Sequence, residues 1–222
     1  MTRTALMTGS SGGLIGATYF RQLTHAQTTT DSLNIQDRRW LDDMSSDMLN
    51  PIAFSFVTND LFIRYQRVHD GRYSYTRDRG YAFEQRLNEL TRGHLDLRMQ
   101  DMAKAEANAE VPMLVVGPTI INDGRRLLIS SSPVSYLTDN SPAASVHSRT
   151  LPETIEFSRF FEHQAAGRMK LTSALRMSST FPYITPVVTL PSEPPMRVMD
   201  AGIRENFGYR TTFEMLRDTR AW

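Results

Sequence analysis

A glycine- and serine-rich turn near the start of the chain, within ALMTGSSGGLIGATYFRQL, constrains the fold more than any other feature. The short apolar run over residues 4–8 enters this turn and predicts a buried strand, and the helical pattern over residues 14–23 leaves it. The small residues on one side of that helix predict close packing on a sheet. A glycine turn between a strand and a helix can hold a phosphate or present a nucleophilic serine.

The phosphate interpretation is that of a dinucleotide-binding turn. The run TGSSGGLIG is close to the TGxxxGxG turn of short-chain dehydrogenases, but its last glycine is displaced by one residue, to Gly16. That chemistry also needs a tyrosine four residues before a lysine. Gln100 stands four residues before Lys104. Ala166 stands four residues before Lys170. We keep an NAD(P)-dependent reductase only as an alternative.

The second interpretation is a nucleophile elbow, G-x-S-x-G, with Ser11 at its centre. A serine at the tip of a tight strand-to-helix turn adopts a strained backbone, and side chains two residues to either side would collide, which predicts glycine at Gly9 and Gly13. The first N–H groups of the helix, around Gly12 and Gly13, favour developing negative charge. We therefore predict that Ser11 is a nucleophile.

A serine hydroxyl needs a general base. The chain has five histidines, His25, His69, His94, His147 and His163. None follows a strand on a short loop near the C-terminus, where a hydrolase places its histidine. Asp200 is the better candidate, because it ends the apolar strand predicted over residues 196–199 and is followed by Ala-Gly. We expect Ser11 and Asp200 to lie at strand ends on the same edge of one sheet.

The remaining pattern alternates strands and helices, which predicts an α/β three-layer sandwich with a mostly parallel central sheet. Helices are predicted over residues 36–49, 81–91, 95–109 and 171–177, from residue 152 and from about residue 211. Strands are predicted over residues 113–116, 126–130 and 196–199, with a hairpin turn at 122–124. We expect Asn50-Pro51 to end the helix predicted over residues 36–49. We interpret residues 67–80 as an ordered loop.

The composition bounds the class of protein. The 222 residues suit one domain, residues 1–222, with a single sizeable core. A net charge of +1 argues against a dedicated nucleic-acid surface, so no nucleic-acid partner is expected. The absence of cysteine excludes thiolate metal sites and a cysteine nucleophile. No signal peptide or membrane-spanning run is apparent, so we expect a cytoplasmic or peripheral membrane protein. No metal or cofactor is expected.

Four blocks in one order resemble the patatin-like phospholipase family, and in particular bacterial patatin-like serine hydrolases. They are GSSGG, PMLVVGPTIINDGRRLLIS, LRMSSTFPYITP and VMDAGIRENFG. The resemblance implies a patatin-like fold, lipid acyl-ester hydrolysis without a cofactor, and a Ser–Asp dyad of Ser11 and Asp200 acting through an acyl-enzyme. Supporting positions within the matched blocks are Pro182, Pro186, Gly202 and Asn206.

An acyl-ester substrate needs apolar surroundings. The substrate-binding candidates are Leu14, Phe181 and Tyr183, with Phe54, Phe56 and Ile184 as further apolar positions. The candidates for contact with a lipid phosphate are Arg125, Arg126 and Arg176. The helix predicted from residue 152 carries Phe157, Phe160 and Phe161 and is either a cover or a buried helix.

Three departures from the family pattern qualify these expectations. Ala201 stands where the family has glycine, and Gly208 stands where it has proline. The family's first strand and its glycine-rich oxyanion loop precede the elbow, and we find neither. We therefore expect a domain that is truncated at its N-terminus and is weakly active or inactive as it stands, and we leave open whether the parent protein continues beyond its C-terminus. A non-catalytic lipid-binding or scaffold domain is the alternative; transient contact with a membrane surface is expected, and the oligomeric state stays open.

Overall fold

A computed structural model describes residues 3–30, 33–62, 66–71, 73–138 and 152–220. The helices are α1 (Ser11–Thr29), α2 (Arg39–Met44), α3 (Leu49–Ser55), α4 (Arg79–Leu90), α5 (Ala103–Ala107), α6 (Phe157–Phe160), α7 (Leu171–Met177) and α8 (Tyr209–Asp218). The strands are β1 (Leu6–Gly9), β2 (Arg67–Asp70), β3 (Tyr73–Thr76), β4 (Met113–Val116), β5 (Thr119–Ile120), β6 (Arg126–Ser130), β7 (Thr154–Glu156), β8 (Val188–Leu190) and β9 (Met196–Met199).

The central sheet has the strand order β1-β4-β6-β5-β9-β8, with β7 paired to β6. Among the described strands of this sheet, β1–β4 and β6–β7 are parallel pairs, and the other four pairs are antiparallel. The sheet is therefore mixed in strand direction. The reason is the hairpin predicted at residues 122–124, which returns the chain from β5 to β6 and places antiparallel neighbours in the centre of the sheet.

The two faces of the sheet pack against different helices. Leu114 and Val116 belong to the larger core cluster, which includes side chains of α1, α4 and α7. Val115 and Leu128 point to the opposite face and pack in a second cluster that includes Met215 of α8. This alternation along β4 is the period-2 pattern of a strand buried on both faces. The predicted α/β sandwich with helices on either side of a central sheet is confirmed.

Several elements differ from the sequence-based predictions. Residues 67–70 and 73–76, predicted to lie in a loop, form the antiparallel strands β2 and β3. Residues 154–156, predicted as the start of a helix, pair with β6 as a strand, and α6 follows as a single turn. Pro51 does not end a helix but lies in the first turn of α3. Backbone N–H groups in a first helical turn have no intrahelical acceptor, so a proline there removes no hydrogen bond. Strand pairing, and the position of the proline at the start of a helix, determined these structures more than the local sequence pattern did.

Within the described residues, no helix is both long and apolar enough to cross a membrane.

Candidate active site

The turn between β1 and α1 holds Ser11 in a strained conformation. Ser11 has a φ of +50°, which residues other than glycine rarely adopt. Its backbone N–H donates to the carbonyl of Ser178 at 3.0 Å. The preceding residue, Ser10, is extended and occupies the N-cap of α1. Ser11 therefore stands at the tip of a strand-to-helix turn, as a nucleophile elbow requires.

Asp200 follows β9 directly and is almost fully buried, with 5 % of its surface exposed. Its N–H donates to the carbonyl of Thr180 at 3.1 Å, and its own carbonyl accepts from the Thr119 hydroxyl at 3.0 Å. Carboxylate Oδ1 accepts the Gly202 N–H at 2.6 Å. The other oxygen, Oδ2, is buried and has no hydrogen bond of standard geometry in the described part of the chain.

One carbonyl group connects the two loops. The carbonyl oxygen of Ser178, at the end of α7, accepts the N–H of Ser11 at 3.0 Å and the N–H of Ala201 at 3.3 Å. Because Ala201 is the neighbour of Asp200, this shared acceptor holds the backbones of the predicted nucleophile and the predicted base at one place. The structure thus brings together the two residues that sequence reasoning selected.

The route by which they meet differs from the expected one. Since β5 runs parallel to β4 and β1 while β9 runs antiparallel to β5, the strand before Asp200 runs opposite to the strand before Ser11. The expectation that both follow strands ending on the same edge is therefore wrong. They meet because Thr119, at the start of β5, lies just beyond the end of β4 and pairs with the last residue of β9, Met199.

Burial raises the pKa of the Asp200 carboxyl above its ordinary value, because a charge is costly away from water. The hydrogen bond from the Gly202 N–H and the contact with the Ser11 hydroxyl offset part of this rise in pKa. The contact with Ser11 is looser than a standard hydrogen bond, since Oδ2 has no partner at ordinary distance and angle. Catalytic hydrogen bonds in unliganded sites are often long. The raised pKa makes Asp200 a stronger base than a solvated aspartate.

The remaining positions of the aspartate block build the loop around Asp200. Ser10 Oγ donates to the carbonyl of Asn206 and lies 3.1 Å from its side-chain Oδ1. A Cβ at Gly202 would stand 2.9 Å from Asp200 Oδ1, so this position requires glycine. Gly208 has a φ of +71°, which proline cannot reach, and this explains why the family's proline is absent there.

The glycines after Ser11 face open space. A Cβ added at Gly12, Gly13 or Gly16 would meet no atom within 4 Å. A Cβ at Gly9 would likewise meet no atom within 4 Å. The predicted collisions at Gly9 and Gly13, and the predicted packing of this small side of α1 on the sheet, are therefore wrong. The Ser11 N–H is used by Ser178, and the Leu14 N–H donates to Ser10. The N–H groups of Gly12 and Gly13 belong to the first helical turn, where no intrahelical acceptor exists.

The apolar candidates fall into two groups. Leu14 is 1 % exposed and belongs to the main core cluster, so its packing needs no substrate to explain it. Phe181 and Tyr183 are exposed, Tyr183 to 96 %, and Tyr183 has a φ of +70°. Pro182 lies between them in a turn closed by the N–H of Phe181 donating to Thr185 Oγ1. This exposed turn begins immediately after Thr180, whose carbonyl holds Asp200.

Further candidate positions differ in exposure. Pro186, which follows this turn, is half-buried. Phe54, Phe56 and Ile184 are exposed. Phe157 and Phe161 are buried and pack on each other, which favours a buried helix over a cover.

The arginines proposed for a lipid phosphate are all paired with carboxylates. Arg125 contacts Asp123, and Arg176 contacts Glu84 at 3.3 Å. Arg126 is 1 % exposed and lies between two glutamates on the loop and helix after Asp200. That expectation is wrong for Arg126, because a buried, twice-paired guanidinium cannot reach a solvent-borne phosphate.

In the described part of the chain, no histidine hydrogen-bonds to Ser11 or Asp200. His94 packs on the rings of Tyr19 and Trp40, and His163 is exposed beside Glu162. His147 lies outside the described residues. Within the described residues, no group of three or more histidine, aspartate or glutamate side chains could hold a metal ion.

Sequence reasoning missed the turn over residues 178–180. Ser178 and Thr180 contribute main-chain carbonyls to the site, and a carbonyl leaves no mark on residue type. The signal that could have pointed to them is the position of the LRMSSTFP block between the elbow and the aspartate block.

Of the comparisons with known proteins, one identifies a family. The family model for patatin-like phospholipase matches residues 3–213 of the 222-residue chain. Neither the curated proteins nor the solved structures gave a significant match. The family match covers the elbow, the site turn and the aspartate block together and leaves no place for the dinucleotide-binding alternative. The chain belongs to the patatin-like phospholipase family.

Proposed function

We propose that this protein hydrolyses lipid acyl esters with Ser11 as nucleophile and Asp200 as general base. The observation that carries the proposal is the shared Ser178 carbonyl, which holds the elbow and the aspartate loop at one point while the Ser11 hydroxyl contacts the buried carboxyl. Within the described residues, the Ser11 hydroxyl makes no hydrogen bond to any other carboxylate or to a histidine.

The acylation step follows from these positions. Asp200 accepts the hydroxyl proton as Ser11 Oγ attacks the ester carbonyl carbon, so that an Oγ–C bond forms. The carbonyl oxygen becomes an oxyanion, and the free N–H groups of Gly12 and Gly13 at the start of α1 stabilise it. When the intermediate collapses, the ester C–O bond breaks and the protonated Asp200 returns its proton to the departing alkoxide.

Deacylation repeats the same proton transfers with water. Asp200 takes a proton from a water molecule as the water oxygen attacks the acyl carbon. The bond between that carbon and Ser11 Oγ then breaks, the carboxylic acid leaves, and Ser11 Oγ recovers the proton from Asp200. Burial supports this role, because the raised pKa of Asp200 brings its basicity closer to what proton abstraction at neutral pH requires.

The surroundings favour an apolar substrate at a lipid surface. The open space over Gly12 and Gly13 has room for an acyl group beside Ser11. Phe181, Tyr183 and Ile184 expose apolar side chains on the turn that begins at the site. Exposed apolar side chains of this kind mark ligand grooves or membrane contacts. We infer transient contact with a membrane surface while the scissile ester reaches Ser11.

A fluorophosphonate probe tests the nucleophile directly, because it reacts covalently with an activated serine. We expect labelling of the wild type and complete loss of labelling in Ser11→Ala. Ser45→Ala removes an exposed hydroxyl at the end of α2 and serves as the matched control, which should label like the wild type. Peptide mapping should place the probe on Ser11 Oγ.

The alternative is a lipid-binding or scaffold domain without turnover. It predicts binding to phospholipid vesicles with no labelling of Ser11 and no release of fatty acid. Labelling that survives in Ser11→Ala, or hydrolysis that survives in Asp200→Asn at the wild-type rate, would remove the Ser–Asp assignment.

A further inference from the structure

The turn over residues 178–180 contacts both loops of the candidate active site through its main-chain carbonyls. The Ser178 carbonyl accepts from the N–H groups of Ser11 and Ala201, and the Thr180 carbonyl accepts from the N–H of Asp200 at 3.1 Å. This turn follows α7 without a break. The position of α7 therefore sets the positions of both loops.

A mostly buried ion pair holds α7 against α4. Arg176 Nη1 lies 3.3 Å from Glu84 Oε1, and Nη2 lies 3.7 Å from the carboxylate of Asp78, the N-cap of α4. The Ser173 hydroxyl donates to the other oxygen of Glu84 at 2.8 Å. The side chains of Arg176 and Glu84 are only 14 % and 12 % exposed, so their contact is poorly screened by solvent.

Arg176 also contacts the turn through its main chain. Its carbonyl accepts the N–H of Ser179 at 2.9 Å and the hydroxyl of Thr180 at 2.8 Å. One residue thus links α4, through its guanidinium, to the turn that holds Ser11 and Asp200.

The guanidinium lies directly on the backbone of Gly80 in the first turn of α4. A Cβ at Gly80 would stand 2.0 Å from Arg176 Cζ and 2.0 Å from Nη2. Gly80 lies in the helix and has no positive φ, so the close approach of Arg176, not backbone conformation, is what requires glycine here.

We propose that Arg176, seated on Gly80 and held by Glu84, is a positioning residue that sets the Ser178 carbonyl for the two loops. The predicted effect on catalysis rests on the proposed hydrolase function. The predicted effect on the two amide hydrogen bonds rests on the geometry alone.

Gly80→Ala is the sharpest test, because the methyl group displaces the Arg176 guanidinium without removing a charge. Alanine is also the better helix former, so α4 itself is not weakened. We expect kcat for a p-nitrophenyl acyl ester to fall about 10- to 100-fold, as for a displacement near 1 Å, with KM essentially unchanged. The Ser11 and Ala201 amides should exchange with deuterium about 10-fold faster, with β4 amides unchanged.

A second-site cycle separates positioning from general packing. In an Arg176→Ala background the collision is gone, so adding Gly80→Ala should change neither kcat nor amide exchange any further. Arg86→Ala removes a half-buried arginine of α4 that contacts Glu89 and the Asp47 carbonyl instead of the turn over residues 178–180, and its kcat and amide exchange should match the wild type. Unchanged kcat and exchange in Gly80→Ala, or an equal loss with and without Arg176, would overturn the proposal. If the wild type hydrolyses no ester, the proposed function fails, and amide exchange still decides the role of Arg176.

Discussion

Arg126→Met should destabilise the protein strongly, because the buried guanidinium binds two glutamates and two threonines. Nη1 lies 3.0 Å from Glu205 and 3.1 Å from the Thr211 hydroxyl, while Nη2 contacts Glu214 and donates to Thr154 at 2.8 Å. Methionine fills a similar volume but leaves Glu205 and Glu214 without this cation. Breaking a buried pair costs about 3–5 kcal/mol, which for a chain of this size lowers Tm by about 6–20 °C.

Urea unfolding measures this loss, with the midpoint falling and the m-value unchanged. Glu214 keeps its pair with Arg210 at 2.9 Å, whereas Glu205 pairs with no other cation in the described part of the chain. Adding Glu205→Gln and Glu214→Gln removes both carboxylate charges, and replacing a whole buried ion network by uncharged groups is often nearly neutral. The triple variant should therefore recover to within about 1–2 kcal/mol of the wild type. A single variant that loses less than about 1 kcal/mol, or a triple variant no more stable than the single, would refute the reasoning.

Two further predictions concern the aspartate block. The raised pKa of Asp200 means that its ionisation opposes folding, so Asp200→Asn should unfold at a higher temperature than the wild type at pH 7. The difference in Tm should vanish below about pH 4, where an ordinary aspartate is protonated. In the wild type, kcat/KM should rise with pH with a midpoint above about pH 4, and a difference in Tm that does not depend on pH would contradict both expectations. Gly208→Ala should cost about 2–5 kcal/mol in thermal unfolding, because its φ is +71° and its Cβ would stand 2.9 Å from the backbone nitrogen of Gly9; an unchanged Tm would show that this loop moves away from β1.

The elbow and the hairpin were predictable because each is encoded within a few residues. A strand, a glycine turn and a helix follow one another from β1 into α1, and Asn122-Asp123-Gly124 joins two apolar runs. Gly124 has the positive φ that such a turn needs. Local patterns of this kind determine the conformation of a turn without contributions from distant residues, so they can be predicted from the sequence.

Strand pairing over long distances was not predictable in the same way. The strand β7 is three residues long and is stabilised by β6, 28 residues earlier, while its own sequence leads into the helical turn of α6. The same limit applies to Arg126, whose partners Glu205 and Glu214 are 79 and 88 residues away. A single sequence gives no sign that an arginine in a strand is buried and paired, so it resembles a surface cation.

The juxtaposition of Ser11 and Asp200 shows how two residues can be predicted to lie together from an incorrect geometry. The sequence argument placed both at carboxyl ends on one edge, yet their strands run in opposite directions. They come together through the short strand β5, which continues beyond β4 in the same direction. Thr119 at its start pairs with Met199, the last residue of β9. The spacing of the two loops is then set by a carbonyl of a third segment, at Ser178. Disturbing that third segment should separate the two residues even though neither strand changes, which is why Gly80, remote from both in the chain, is the informative position to alter.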